Sequence, residues 1–226
     1  MYETVPLVVP EVNPQDIKLN NGIIANPNCS TIQAVLPIKA LDDKYKVKRI
    51  IYSTYQAVSG AGRLGIEDLE KKYTNKLLKK FPHQIYNNCL PQIDTFLENG
   101  YTKEEEKMIN ETRKILHKPE LKITATCVRV PVLNCHCESI NLELEKDFDI
   151  KDVYKILENF KNITILDNPN ENLYPIPTNV SGSDNVFVGR IRRDYSIKNG
   201  LNLWVVADNL RKGAATNAIQ ILEKLI

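Results

Sequence analysis

The sequence predicts an α+β fold, a mixed or antiparallel sheet covered by helices on one face. Long β-branched runs at 47–58 and 122–131 read as strands. Stretches with apolar residues at helical spacing, such as 30–41 and 102–116, stand between or beside them. Two further runs, 186–193 and 201–207, flank a Lys198-Asn199-Gly200 turn and pair as an antiparallel hairpin.

In chain order, residues 5–10 form a short apolar run before the turn Glu11-Val12-Asn13-Pro14, which reads as a buried strand leaving a sheet. A second short strand at 23–25 is broken by Asn26-Pro27-Asn28. The helix at 30–41 places Ile32, Val35, Leu36 and Leu41 together, with Pro37 as a potential kink. After strand 47–58 comes Ser59-Gly60-Ala61-Gly62, read as flexible, and then a helix at 66–78 with Leu69, Tyr73 and Leu77 on one face. Residues 82–99 are irregular. Thr102 then caps a helix whose first turn holds Glu104, Glu105 and Glu106, favourable at the positive end of the helix dipole, and Pro119 stops it. Strands at 122–131 and 137–144, a helix at 149–159 and a short strand at 163–165 follow. The proline-rich stretch 168–182 is a long loop, and 214–225 is a final amphipathic helix.

The composition narrows function. A formal net charge of +2 with basic and acidic residues interspersed argues against nucleic acid and against an anionic membrane. No run approaches the ~18 apolar residues of a membrane span, and the N-terminus lacks the features of a signal peptide. Five cysteines at uneven spacing suit reduced thiols, so a cytoplasmic enzyme is expected.

Cys29 sits where a strand and tight turn meet a helix. There the helix dipole and free amides lower a thiol pKa and hold a developing oxyanion. An isolated cysteine is also often structural. Of three histidines, His136 follows Arg129 between two strands and is expected at a sheet rim. A cation and a titratable imidazole there suit an anionic substrate that exchanges a proton, although from position alone a satisfied surface histidine is the commoner outcome. Glu104 and Lys107 lie one helical turn apart, as substrate contacts or as a solvated ion pair. Cys135-His136-Cys137, with Cys127 and Cys89, raises zinc, but strand alternation points the two cysteines away from the histidine and no C-x-x-C pair occurs. No metal is therefore expected, and these thiols would instead make the site prone to oxidation.

Four separated motifs carry a resemblance. Asn26-Pro27-Asn28-Cys29-Ser30-Thr31, Ser53-Thr54-Tyr55-Gln56-Ala57-Val58-Ser59-Gly60-Ala61-Gly62, Ala125-Thr126-Cys127-Val128-Arg129-Val130-Pro131-Val132 with His136, and Asp208-Asn209-Leu210-Arg211-Lys212-Gly213-Ala214-Ala215 stand in one order. In that order the chain resembles aspartate-semialdehyde dehydrogenases over nearly its whole length. The resemblance implies a C-terminal catalytic and dimerisation domain like that of glyceraldehyde-3-phosphate dehydrogenase, with remnants of a Rossmann nucleotide-binding domain. It implies residues 1–28 as that remnant, 29–207 as the catalytic domain and 208–226 as a helix that packs on the nucleotide domain. By the same resemblance Cys29 is the nucleophile that carries a thioester, His136 the general acid/base, and Gln56 the residue orienting substrate. Arg129 would grip the substrate carboxylate, Glu104 the amino group, and Lys107 and Asn28 the phosphate. Ser59, Gly60 and Asn209 would touch NADP, and a homodimer is implied.

The implied activity is NADPH-dependent reduction of aspartyl phosphate to aspartate semialdehyde, in the biosynthesis of lysine, threonine and methionine. An N-acetyl-glutamyl-phosphate reductase, a glyceraldehyde-phosphate dehydrogenase and a non-catalytic dimerisation module are the alternatives. One departure stands out. No Gly-x-Gly-x-x-Gly turn precedes Cys29, although a nucleotide-binding half needs on the order of 100 residues. An N-terminally truncated copy, weak or inactive alone, is the expectation, with Ala218, Ile219, Leu222 and Leu225 exposed on the last helix.

Overall fold

The computed structural model describes residues 4–72 and 77–226. Its elements are helix α1 (Cys29–Tyr45), strand β1 (Val47–Gln56), α2 (Arg63–Glu70), α3 (Lys103–Ile115), β2 (Lys122–Arg129), β3 (His136–Leu144), α4 (Ile150–Glu158), β4 (Ile163–Ile165), α5 (Pro177–Val180), β5 (Val186–Asp194), β6 (Gly200–Ala207) and α6 (Thr216–Glu223). The six strands form one sheet in the order β2-β1-β3-β6-β5-β4. β1–β2 and β4–β5 pair parallel and the remaining neighbours antiparallel, so the sheet is mixed, as expected. β1 lies between β2 and β3, which are consecutive in sequence but are not neighbours in the sheet.

Strand alternation sets the two faces. Ile50 and Tyr52 of β1, Ala125 and Cys127 of β2, Ile140 and Leu142 of β3 and Leu203 and Val205 of β6 are buried on one side. α1, α3 and α4 cover that side. Helix α1 is buried almost all round, from Ser30 through Asp42 with Lys39 the exception, because sheet, α3, α4 and the segment after β6 enclose it. Pro37 lies inside α1 without ending it. The ring removes one helical hydrogen bond, and packing on all sides keeps the helix intact. On the uncovered face Tyr55 and Trp204 hold their rings 5.6 Å apart.

Several expectations need correction. The expected strands at 5–10 and 23–25 are a single parallel bridge, Leu7 to Ala25, because no further described strand pairs with either. Pro14–Leu19 is a 3-10 helix that the sequence reading missed. Val58–Ala61 is an ordered 3-10 turn, pinned by Val58 N–H to Val132 O at 2.9 Å and Ser59 N–H to Leu133 O at 3.1 Å. Helix α2 starts earlier than residue 66 and ends at Glu70, well short of the expected residue 78; residues 71, 72, 77 and 78 are not helical, and Tyr73 lies outside the described residues.

The C-terminal segment begins with a π-helical turn, Arg211–Ala215, before α6. Lys212 is fully buried there, its Nζ 2.8 Å from both carboxylate oxygens of Glu11. Ile221 of α6 packs with Val8 and Ile17, while Ala218, Ile219, Leu222 and Leu225 are exposed.

Helix α3 is anchored at its start by a capping box. Thr102 Oγ1 accepts from Glu105 N–H at 3.3 Å, and Glu105 Oε2 accepts from Thr102 N–H at 2.7 Å. Glu105 Oε1 also accepts from Cys127 N–H on β2, at 2.9 Å. Thr102→Ala should destabilise the chain by about 1 kcal/mol. Glu105→Ala should cost more, about 2 kcal/mol or above, since two buried N–H groups lose their acceptor. Urea unfolding midpoints check the ranking, and equal midpoints would remove the strand-anchoring role of Glu105.

Candidate active site

Two cross-strand rows define the inner face of the sheet at the C-terminal end of β1. Register places Arg129 beside Gln56, and His136 beside Ala207. Two residues further along lies the row Cys127, Thr54, Glu138 and Val205. Helix α1 brings Cys29 to this end, and α3 brings Glu104.

Cys29 is the first residue of α1 and is half-buried. Asn28 caps the helix, its Oδ1 accepting from Ser30 N–H at 3.0 Å and Thr31 N–H at 3.3 Å. The low thiol pKa expected of a helix N-terminus is not found. Burial, and then the Glu104 carboxylate, push the thiol up to about 12, and the Ser30 amide and Arg129 only partly oppose them. Opposite Cys29 stands Gly213 of the π turn, where an added Cβ would lie 3.0 Å from the Cys29 Cβ. Only a residue without a side chain lets that turn approach so closely.

His136 stands at the sheet rim, as expected, yet it is no surface residue: it opens β3 and is fully buried. Its Nδ1 accepts from Ala57 N–H at 3.0 Å, which places the ring proton on Nε2. Nε2 has no protein partner and lies against Gly60, where an added Cβ would sit 3.0 Å away. Burial and the nearby Arg129 push the imidazole down to about 3, so it is neutral at ordinary pH. Arg129, itself buried, donates through Nη1 to Ala57 O at 2.6 Å and lies over the Phe81 ring at 5.9 Å. One residue, Ala57, thus holds both the imidazole and the guanidinium through its backbone.

Glu104 is 5% exposed, which separates it from the solvated-pair reading. Its Oε1 accepts from Asn28 Nδ2 at 2.9 Å and Gln56 Nε2 at 3.2 Å. Lys107 reaches Glu104 Oε2 at 3.5 Å and Asp94 at 3.2 Å, and is the half-exposed member of the group. Glu111, missed in the sequence, takes Asn28 N–H at 2.8 Å. Ser59 and Asn209 meet through Asn209 Nδ2 to Ser59 Oγ at 3.0 Å, and Asn209 Oδ1 accepts from Cys135 N–H at 2.9 Å.

Cys135 and Cys137 pack with Val180 and Val206 in a separate apolar cluster with Trp204. Among the described residues no three or more His, Cys, Asp or Glu side chains are grouped to hold a metal. No described helix is long and apolar enough to cross a membrane. Gln33 and Glu138 were also missed. The signal was periodicity, since Gln33 lies one turn after Cys29 and Glu138 two strand residues after His136.

The family "Semialdehyde dehydrogenase, dimerisation domain" matches residues 38–212. The aspartate-semialdehyde dehydrogenase of Aquifex aeolicus is 55% identical across 100% of this chain and 69% of its own length. That of Bacillus subtilis is 48% identical over the same shares. Among solved structures, aspartate semialdehyde dehydrogenase II of Vibrio cholerae complexed with ASA superposes with a TM-score of 0.95 at 46% identity, covering 99% of this chain and 69% of that one. The Candida albicans enzyme with NADP gives a TM-score of 0.76 at 28% identity, covering 98% and 66%. Shared motifs, a mixed sheet with this helix cover and relatives of this identity lead to one assignment: the chain belongs to the aspartate-semialdehyde dehydrogenase family.

Proposed function

We propose that this chain carries the thioester-forming site for reduction of L-aspartyl 4-phosphate to L-aspartate 4-semialdehyde. The observation that carries the reading is the convergence of Cys29, neutral His136, Arg129 and Glu104 at one sheet end. A buried cation and a buried anion together match the α-carboxylate and α-ammonium of an amino acid. Lys107 and Asn28, beside Glu104, take the phosphate, and Gln56 lies beneath the reacting carbonyl.

The chemistry follows from the charges. With Glu104 unpaired by substrate, its carboxylate helps keep the Cys29 thiol protonated. A bound ammonium cancels that charge, so the thiol can pass its proton to the phosphate of the bound substrate. Sγ then bonds to the C4 carbonyl carbon, the C–O bond to phosphate breaks, and the thiol proton leaves with the phosphate. NADPH, when held there, would supply the hydride that reduces the thioester. His136 Nε2–H donates to the carbonyl oxygen as charge develops, and takes the proton back as the C–S bond breaks and the aldehyde departs.

Ser59, Gly60 and Asn209 offer a compact polar patch beside His136 that fits the carboxamide end of a nicotinamide. Residues 1–28 contain no Gly-x-Gly-x-x-Gly turn, and the run Gly60-Ala61-Gly62-Arg63-Leu64-Gly65 lies instead in the turn that leads from β1 into α2. We assign residues 29–207 to catalysis and dimerisation, with residues 1–28 and 208–226 facing a nucleotide-binding half. The homodimer contact is assigned to the uncovered sheet face around Tyr55 and Trp204.

Iodoacetamide labelling with peptide mapping tests the site. Aspartate semialdehyde with phosphate should protect Cys29 and leave exposed Cys89 reactive; equal labelling with and without substrate would refute the assignment. The same chain should oxidise NADPH little or not at all, and measurable turnover would overturn that part. Glu104→Gln removes the charge that raises the thiol, so the pKa falls and Cys29 should alkylate roughly tenfold faster at mildly alkaline pH. An unchanged rate profile would show that Glu104 does not control the thiol.

A further inference from the structure

Directly beneath the row of Arg129, Gln56 and His136 lies a carboxyl group to which the proposed chemistry gives no part. Glu138 is fully buried on β3, two residues after His136 and on the same face. Neither carboxyl oxygen has a hydrogen-bond partner, and no cation pairs with it among the described residues. A buried, unpaired carboxylate is strongly disfavoured, and such groups neutralise instead. The charged and titratable groups around it add no compensation. Glu104 of α3 repels it, and Cys29, Tyr52, Cys127 and Cys137 are the other neighbours on α1, β1, β2 and β3.

A second orphan stands next to it. Gln33, one turn beyond Cys29 on α1, is fully buried and placed to hydrogen-bond Glu138. Its Nε2 donates to the His136 carbonyl oxygen at 3.2 Å, while its Oε1 has no partner. An acceptor lacking a donor therefore adjoins a carboxyl group lacking a cation. A single proton on Glu138 satisfies both: it removes the charge and supplies the donor.

We infer that Glu138 is a neutral carboxylic acid in the resting protein and a positioning residue. Its O–H donates to Gln33 Oε1, Gln33 Nε2 donates to the His136 carbonyl, and this chain of bonds fixes Cys29 on α1 against His136 on β3. The positioning role rests on reading Cys29 and His136 as the reacting pair. The protonation state does not.

The test uses the whole 226-residue chain. An infrared difference spectrum, wild type minus Glu138→Gln at neutral pH, should contain the C=O stretch of a protonated carboxyl; carboxylate stretches alone would overturn the inference. Glutamine retains a donor for Gln33, so E138Q should alkylate at Cys29 within about twofold of wild type and keep the His136 Nε2–H tautomer in nitrogen-15 spectra. Leucine removes the donor. E138L, and independently Gln33→Leu, should raise Cys29 reactivity about tenfold toward that of Cys89 and shift the His136 ring signals. E138Q behaving like E138L, or either leucine variant behaving like wild type, would overturn the positioning role. Should E138L not fold, Q33L and the infrared spectrum decide. If substrate fails to protect Cys29, the functional reading falls while these ratios and the carboxyl band still report on Glu138.

Discussion

The site depends on the burial of α1. A helix enclosed by the sheet, two other helices and the π turn has no freedom to slide, so its first residue is fixed relative to every strand end below it. Asn28 shares in that constraint from both sides. Its side chain caps α1 and donates to Glu104, and its backbone N–H is held by Glu111. The position of Cys29 is therefore set by packing along the helix and by hydrogen bonds at its end, with no direct bond from sulfur to His136.

Within this frame, electrostatics works against ionisation at rest. Low polarity raises the thiol and lowers the imidazole, and the two buried charges nearby, Glu104 and Arg129, act on them with opposite signs. The result is a neutral thiol and a neutral imidazole, each within the field of Arg129. A site of this kind reacts slowly with adventitious electrophiles until a ligand redistributes the charge, which contrasts with cysteines that rely on a permanent thiolate.

Much of this was legible in the residues. Strands β1, β2, β3, β5 and β6 and helices α3 and α4 follow from β-branched runs, helical spacing and the Thr102 and Asp149 caps. The Asn28-Cys29 junction is visible as a turn entering a helix. Sequence could not order the sheet, because nothing local tells that β1 inserts between β2 and β3. Residues 5–10 look like a strand because they are apolar, yet Val8 and Val9 are buried by packing with little ladder pairing. Pro37 invited a kink that enclosure prevents. The thiol was misjudged because the helix-end argument is local, while desolvation and Glu104 come from the assembled fold. Likewise His136 has the composition of a surface residue, and only the cross-strand register buries it.

The Ala57 backbone has a consequence of its own. Its N–H anchors the imidazole and its carbonyl anchors the guanidinium, so the two groups hang from the two rigid peptide planes that meet at one Cα. Turning one plane about that Cα strains the other. A ligand that drags Arg129 out of line pulls on the carbonyl and, through the shared Cα, disturbs the imidazole. Fidelity toward the shape of the ligand is in this way built into the backbone, in a residue whose own side chain is a single methyl group.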